Sequence, residues 1–109
     1  MIIKDLAEIL GYETVTIPCP DAEVTGGYTG DLLSWVMVRA TAGNVWVTIM
    51  TNSNIVAVAT LVGVSAIVIS EDQPLPQSVV ELAKTHNINV LRSKKSAFET
   101  SAEIRNAFR

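Results

Sequence analysis

The sequence predicts an α/β domain, a small Rossmann-like three-layer structure with a mainly parallel central sheet and repeating βα units. Three observations carry that prediction. Apolar, β-branched segments recur at even spacing: "VWVTIM" (Val45 to Met50), "AIVI" (Ala66 to Ile69) and "INVLRS" (Ile88 to Ser93). Each is followed by a polar loop or turn and then a helix-length segment, the rhythm of right-handed βαβ units around a parallel sheet. The chain has 109 residues and one cysteine, so it forms a single domain, residues 1–109, that can bury a core without disulfides.

Taken in order, "IIKDLAEIL" places Ile3, Leu6, Ile9 and Leu10 on one helix face, and Gly11 stands where that helix ends. "YETVTIP" alternates as a strand does until Pro18 and Pro20 interrupt it. "DLLSWVMVRA" reads as a helix that is apolar nearly all round. After the strand at Val45, the loop "TNSN" leads into a second such helix, Ile55 to Val62, with Ser53 or Asn54 as its cap. "AIVI" has no polar side chain, which places it in the middle of the sheet, buried on both faces. Pro76 belongs in the first turn of the helix "QSVVELAKTHN". Ser96 stands three residues before Glu99 in "KKSAFETSAEIRNAF", the spacing of a capping box.

The two apolar helices bear on assembly. A helix in so small a domain covers one face with its own sheet, so its other apolar face has to meet another chain or a neighbouring domain, or lie exposed at a cost; a homodimer is the expectation. The residues expected at this homodimer interface are Leu32, Trp35, Val36, Arg39, Ile55, Val58 and Leu61. The composition agrees: charged residues are 17% of the chain, against roughly 25% in an ordinary soluble domain.

Composition also excludes several classes. The net charge is -3 and "RSKKS" is the densest basic cluster, which argues against a nucleic-acid partner. Ala40 to Ser70 carries no charge, but its most apolar part, Ile55 to Ile69, is shorter than the ~20 residues of a membrane span and is interrupted by Gly63 and Ser65. Two buried elements joined by a turn are expected instead. Cys19 and His86, each the single residue of its kind, cannot assemble a Cys/His zinc site, so no metal or cofactor is expected. The N-terminus is partly acidic and lacks the basic and long apolar regions of a signal peptide, so a cytoplasmic location is expected.

In parallel sheets, ligands collect beyond the carboxyl ends of the strands. That rule points to Thr51, Asn52, Ser53 and Asn54, then Ser70, Glu71 and Asp72, then Ser93, Lys94 and Lys95. The motif "TGGYTGD" has two readings. Gly26 and Gly27 let an anion approach the backbone at the start of the next helix. Alternatively they take positive φ in a turn, with Thr29 or Asp31 capping that helix. The motif is neither a Walker A sequence nor GxGxxG. The candidate ligand site joins Thr25, Gly26, Gly27, Tyr28 and Thr29 to Thr51, Asn52 and Asn54, and a small anionic metabolite or nucleotide is the ligand it would take. His86 is read as a helix-end residue, Cys19 as a turn residue, and Trp35 and Trp46 as packing residues. No base, nucleophile and oxyanion donors can be grouped, so the chain is not expected to be an enzyme.

The order "EVTGGYTGDLLSWVM", "VWVTIMTNSNIVAVATLVGVSAIVIS" and "INVLRSKKSAFETSAEI" resembles the DRTGG domain family from about Ile3 to Phe108. Thr25, Gly26 and Gly27 match the end of the namesake motif, while Glu23 and Val24 replace its Asp-Arg pair. The resemblance implies a small regulatory module, related in fold to the N-terminal domain of HPr kinase/phosphorylase but without that enzyme's P-loop, and a tendency to dimerise. It favours a homodimeric sensor of a small anionic metabolite or nucleotide. The alternative is a protein-binding scaffold in a redox or hydrogenase-associated assembly.

Overall fold

The computed structural model describes residues 1–108. Their elements run α1 (Ile3–Leu10), β1 (Glu13–Thr16), β2 (Gly26–Thr29), α2 (Leu33–Arg39), β3 (Asn44–Thr48), α3 (Asn54–Val62), β4 (Ala66–Ile69), α4 (Gln77–Thr85), β5 (Val90–Arg92) and α5 (Ala97–Phe108). The strands form one sheet in the order β1-β5-β4-β3-β2. Strands β2 to β5 are parallel, and β1 joins β5 antiparallel at the far edge.

Alternation along the strands divides the core into two layers. Trp46, Ile67, Ile69 and Val90 pack with Val36 of α2, Ile55 and Ala59 of α3 and Val79 and Ala83 of α4. Val45, Val47, Ala66, Val68 and Leu91 face the other way, onto Ile3 and Leu6 of α1 and Ile104 of α5. The all-apolar β4 is central, as its composition requires. All three crossovers between the parallel strands pass over one face, and only the N-terminal and C-terminal helices cover the other. Gly11 ends α1 and Gly63 ends α3 in the left-handed conformation.

The two apolar helices differ from the expected interface. Val36, Ile55 and Val58 lie in the chain's own core and cannot meet a partner. The α2–α3 pair turns these residues inward onto Trp46 and the sheet. Leu32, Trp35 and Leu61 remain 61%, 52% and 73% exposed, and Val38 joins them at 82%. The Arg39 guanidinium lies 4.3 Å from the centre of the Trp35 ring, a cation–π contact on this outer face.

The turn reading of the glycine motif fails on backbone conformation, and the glycines stand in a strand rather than at the start of α2. Gly26 to Thr29 is an edge strand in register with Asn44 to Val47, and neither Gly26 nor Gly27 has positive φ. The left-handed glycine of this region is Gly43, before β3, with φ 83°. A Cβ at Gly43 would stand 2.6 Å from Thr25 Cγ2, whereas one at Gly27 would meet Val45 O at 3.4 Å. Gly43→Ala should therefore cost about 1–3 kcal/mol of stability, and Gly27→Ala less than about 1 kcal/mol. Urea unfolding of the two variants checks this, and equal losses would contradict the strand assignment of Gly27.

Candidate functional site

The carboxyl ends of the parallel strands, the expected ligand rim, are occupied by the chain's own carboxylates. Asp31 does not cap α2, which starts without a side-chain cap. Its Oδ1 accepts from Thr48 Oγ1 at 2.7 Å and from Ile49 N at 3.0 Å, tying the β2–α2 loop to the end of β3. Thr29 does not cap α2 either; its hydroxyl pairs with Ser101 Oγ of α5 at 2.6 Å. Further along, Glu71 Oε2 accepts from Ala97 N at the start of α5, and Asp72 accepts from Arg92. Glu71 and Asp72 hold positive φ, which brings their backbone amides onto the carbonyls of Lys95 and Ser93. An anion entering here would meet negative charge at two places along the rim.

The sequence-expected ligand residues separate into two groups. Thr51, Asn52 and Asn54 follow β3 at this rim, and Asn52 Oδ1 accepts from Asn54 N at 2.9 Å, so the turn into α3 satisfies itself. Neither Ser53 nor Asn54 caps α3 through its side chain; Ser53 holds the cap position in an αR conformation. Gly26, by contrast, pairs with Asn44 at the beginning of β3. Thr25 lies there too, with its hydroxyl on Ala42 O at 2.9 Å. The sheet register thus sets the glycine pair and the "TNSN" loop at opposite ends of the same strand.

Gly26, Gly27, Tyr28 and Thr29 instead line a groove of about 410 Å³ between β2 and α5. Its floor is Val45 and Val47 of β3, and its far wall is Ser101, Ile104, Arg105 and Phe108 of α5. Gly27 shares the face of Thr29, toward α5, so its missing side chain leaves the space open. The wall residues recur at helical spacing, but their relation to β2 depends on α5 crossing back beneath the far edge of the sheet, which no local motif signals. Arg105 has no carboxylate partner among the described residues.

A second groove, also of about 410 Å³, lies between the end of α1 and the end of β5, lined by Tyr12, Glu13, Arg92 and Lys95 among others. Two of its cations are engaged, Arg92 with Asp72 and Glu13 and Lys95 with Glu103, while Lys94, also on its lining, has no carboxylate partner among the described residues. Glu103 also accepts from the Tyr12 hydroxyl at 3.0 Å. Burial, and then the Glu103 carboxylate, raise the Tyr12 phenol well above the usual tyrosine range. Glu103 is held low mainly by its bond to Lys95, and Lys95 is raised mainly by the same bond.

Among the described residues no group of three His, Cys, Asp or Glu side chains could hold a metal ion, and no helix is long and apolar enough to cross a membrane. His86 ends α4 with its backbone amide on Leu82 O, and it is exposed. Cys19 is fixed by Asn89, a residue that sequence reading passed over. Asn89 Oδ1 accepts from Cys19 N at 2.8 Å, and its Nδ2 donates to Cys19 O and Ser65 O.

The model of the DRTGG domain matches residues 29–107, most of the chain. The chain belongs to the DRTGG domain family. The match begins two residues after Gly27, so the partly preserved namesake motif lies just outside it. No curated protein matches the sequence. Among solved structures, the domain resembles the CBS and DRTGG domains of the regulatory region of Clostridium perfringens pyrophosphatase, complexed with its activator diadenosine tetraphosphate. The TM-score is 0.72 at 18% identity, over 94% of this chain and 45% of the other, so the likeness is one of fold. The DRTGG domain spans less than half the length of that regulatory chain.

The Tyr12 phenol gives this DRTGG domain a definite alkaline response. Its folded-state value lies above the unfolded one, so its contribution to stability is complete below pH ~10, the ordinary tyrosine value. It is lost as pH rises further, because the unfolded chain releases a proton that the folded chain retains. Tyr12→Phe should flatten the decline in stability above pH ~10, measured by urea unfolding; the same decline in both proteins would exclude the phenol as its source.

Proposed function

We propose that this DRTGG domain is a non-catalytic regulatory or adaptor module that works as a homodimer. The observation that carries the proposal is the outer apolar face of α2 and α3, where Leu32, Trp35, Val38 and Leu61 stand exposed on adjacent helices. Clustered exposed side chains of this size mark an interaction surface. The regulatory sense is supported by the fold neighbour, whose DRTGG domain is part of a regulatory region. In this reading the layered, Rossmann-like sheet is a platform. It presents one helix face for pairing and leaves the opposite, α5-covered face free to receive a signal, while a rim satisfied by Asp31 and Glu71 offers no arrangement for bond-making chemistry.

Sedimentation at micromolar concentration should give a dimer. Trp35→Glu should convert it to a folded monomer, because Trp35 is outside the core and the substitution places a charge in the exposed apolar face. A wild-type monomer at high micromolar concentration would defeat the dimer reading.

A second reading is favoured by Arg105, a cation without a carboxylate partner among the described residues beside an apolar groove. Here the module senses a small anionic metabolite or nucleotide. A thermal-shift panel of nucleotides and phosphorylated metabolites tests it. A true ligand at one hundred times its dissociation constant adds about 2.7 kcal/mol, and the gain should disappear in Arg105→Glu. A panel without a shift removes this reading and leaves the protein-binding one.

A further inference from the structure

We infer that the groove between β2 and α5 receives an extended segment of a partner protein, which adds as a strand to the free edge of β2 and places a large apolar side chain over Gly27. This rests on the adaptor reading of the module and assigns its partner-binding site.

The first ground is the edge itself. β2 ends the sheet, pairing only with β3, so the outward N–H and C=O groups of Gly26 to Thr29 have no strand partner among the described residues. Proteins usually guard such an edge with charge, proline or a bulge. The opposite edge is guarded in this way: β1 begins with Glu13, is irregular between Thr14 and Thr16, and runs into Pro18. "GGYT" has no guard of this kind.

The second ground is the space beside the edge. Side chains of an added strand alternate in direction, and those on the α5 side enter the groove above Val45 and Val47. Gly27 leaves room there that any other residue would fill. About 410 Å³ accepts a large apolar side chain with its neighbours. A helix beside an open strand, with an apolar floor between them, supplies backbone pairing for affinity and a pocket for selectivity.

The third ground selects the occupant. Arg105 lines the groove without a carboxylate partner among the described residues, so the segment carries an acidic side chain or a terminal carboxylate near its apolar anchor. A second copy of this chain fits poorly. Symmetric pairing of two β2 strands would offer the groove only Gly27 and Thr29, while Tyr28 packs on the other face against the α2–α4 layer. A small nucleotide could meet Arg105 but would leave the strand edge unpaired.

A phage-displayed library of random dodecapeptides, panned against the purified protein, tests the inference. Enriched sequences should share an apolar or aromatic residue with Asp or Glu close by. A synthetic peptide from that set should bind in fluorescence anisotropy and slow amide exchange at Gly26 to Thr29. Gly27→Val, which fills the groove, and Arg105→Glu, an exposed change that leaves the core intact, should each weaken binding by about tenfold or more, equivalent to about 1.4 kcal/mol. No enrichment, or binding indifferent to both substitutions, overturns the inference. Protection of β2 that grows with concentration of the protein alone makes a second copy the occupant and also overturns it. So does nucleotide stabilisation abolished by Gly27→Val. None of these outcomes decides the α2–α3 dimer, which sedimentation reads separately.

Discussion

The structure depends on β3 and β4 being buried on both faces. Ala66 to Ile69 has no polar side chain, and within β3 the indole of Trp46 is inside with its Nε1 donating to Gly30 O at 2.9 Å. Strands of this composition are stable only when helices cover both surfaces of the sheet. Three crossover helices cover one face. The other has to be closed by elements from the two ends of the described chain, α1 and α5. That requirement carries α5 back beneath the parallel strands and creates the groove beside β2.

The same constraint accounts for the uneven use of the apolar helices. α2 commits only Val36 to the core within its length, while α3 commits Ile55, Val56, Val58 and Ala59. The sheet reaches its limit at β2, so α2 lies near the end of the layer with little to cover it. Its apolar outer side chains are what remains once the core is complete.

Much of the fold was legible in the sequence because it is written in local pattern. The three βα repeats, the central position of Ala66 to Ile69, the glycine ends at Gly11 and Gly63 and the cap by Ser96, whose hydroxyl accepts from Glu99 N, all follow from neighbouring residues. The candidate site was less legible because it depends on register. "TGGYTGD" reads locally as a turn, and pairing with β3 overrides that preference and draws the glycines into an edge strand. Asp31 has the composition of a cap, yet the end of β3 offers it two donors. Gly43 and Asn89 went unremarked because their partners, Thr25 for one and Cys19 and Ser65 for the other, are distant in sequence.

The strand order also has a consequence in time. β2, β3, β4 and β5 are laid down side by side in the order in which a ribosome delivers them, so each βα unit can settle against the one before it. β1 is made first but belongs at the far end, against β5, which is made last of the strands. The strand itself has to wait through the synthesis of almost the whole domain before its docking place exists, whereas α1 already has partners in Ala22, Val24 and β3. During that interval the surface later covered by α5 is open, and the docking of β1 and α5 is the step that completes the domain.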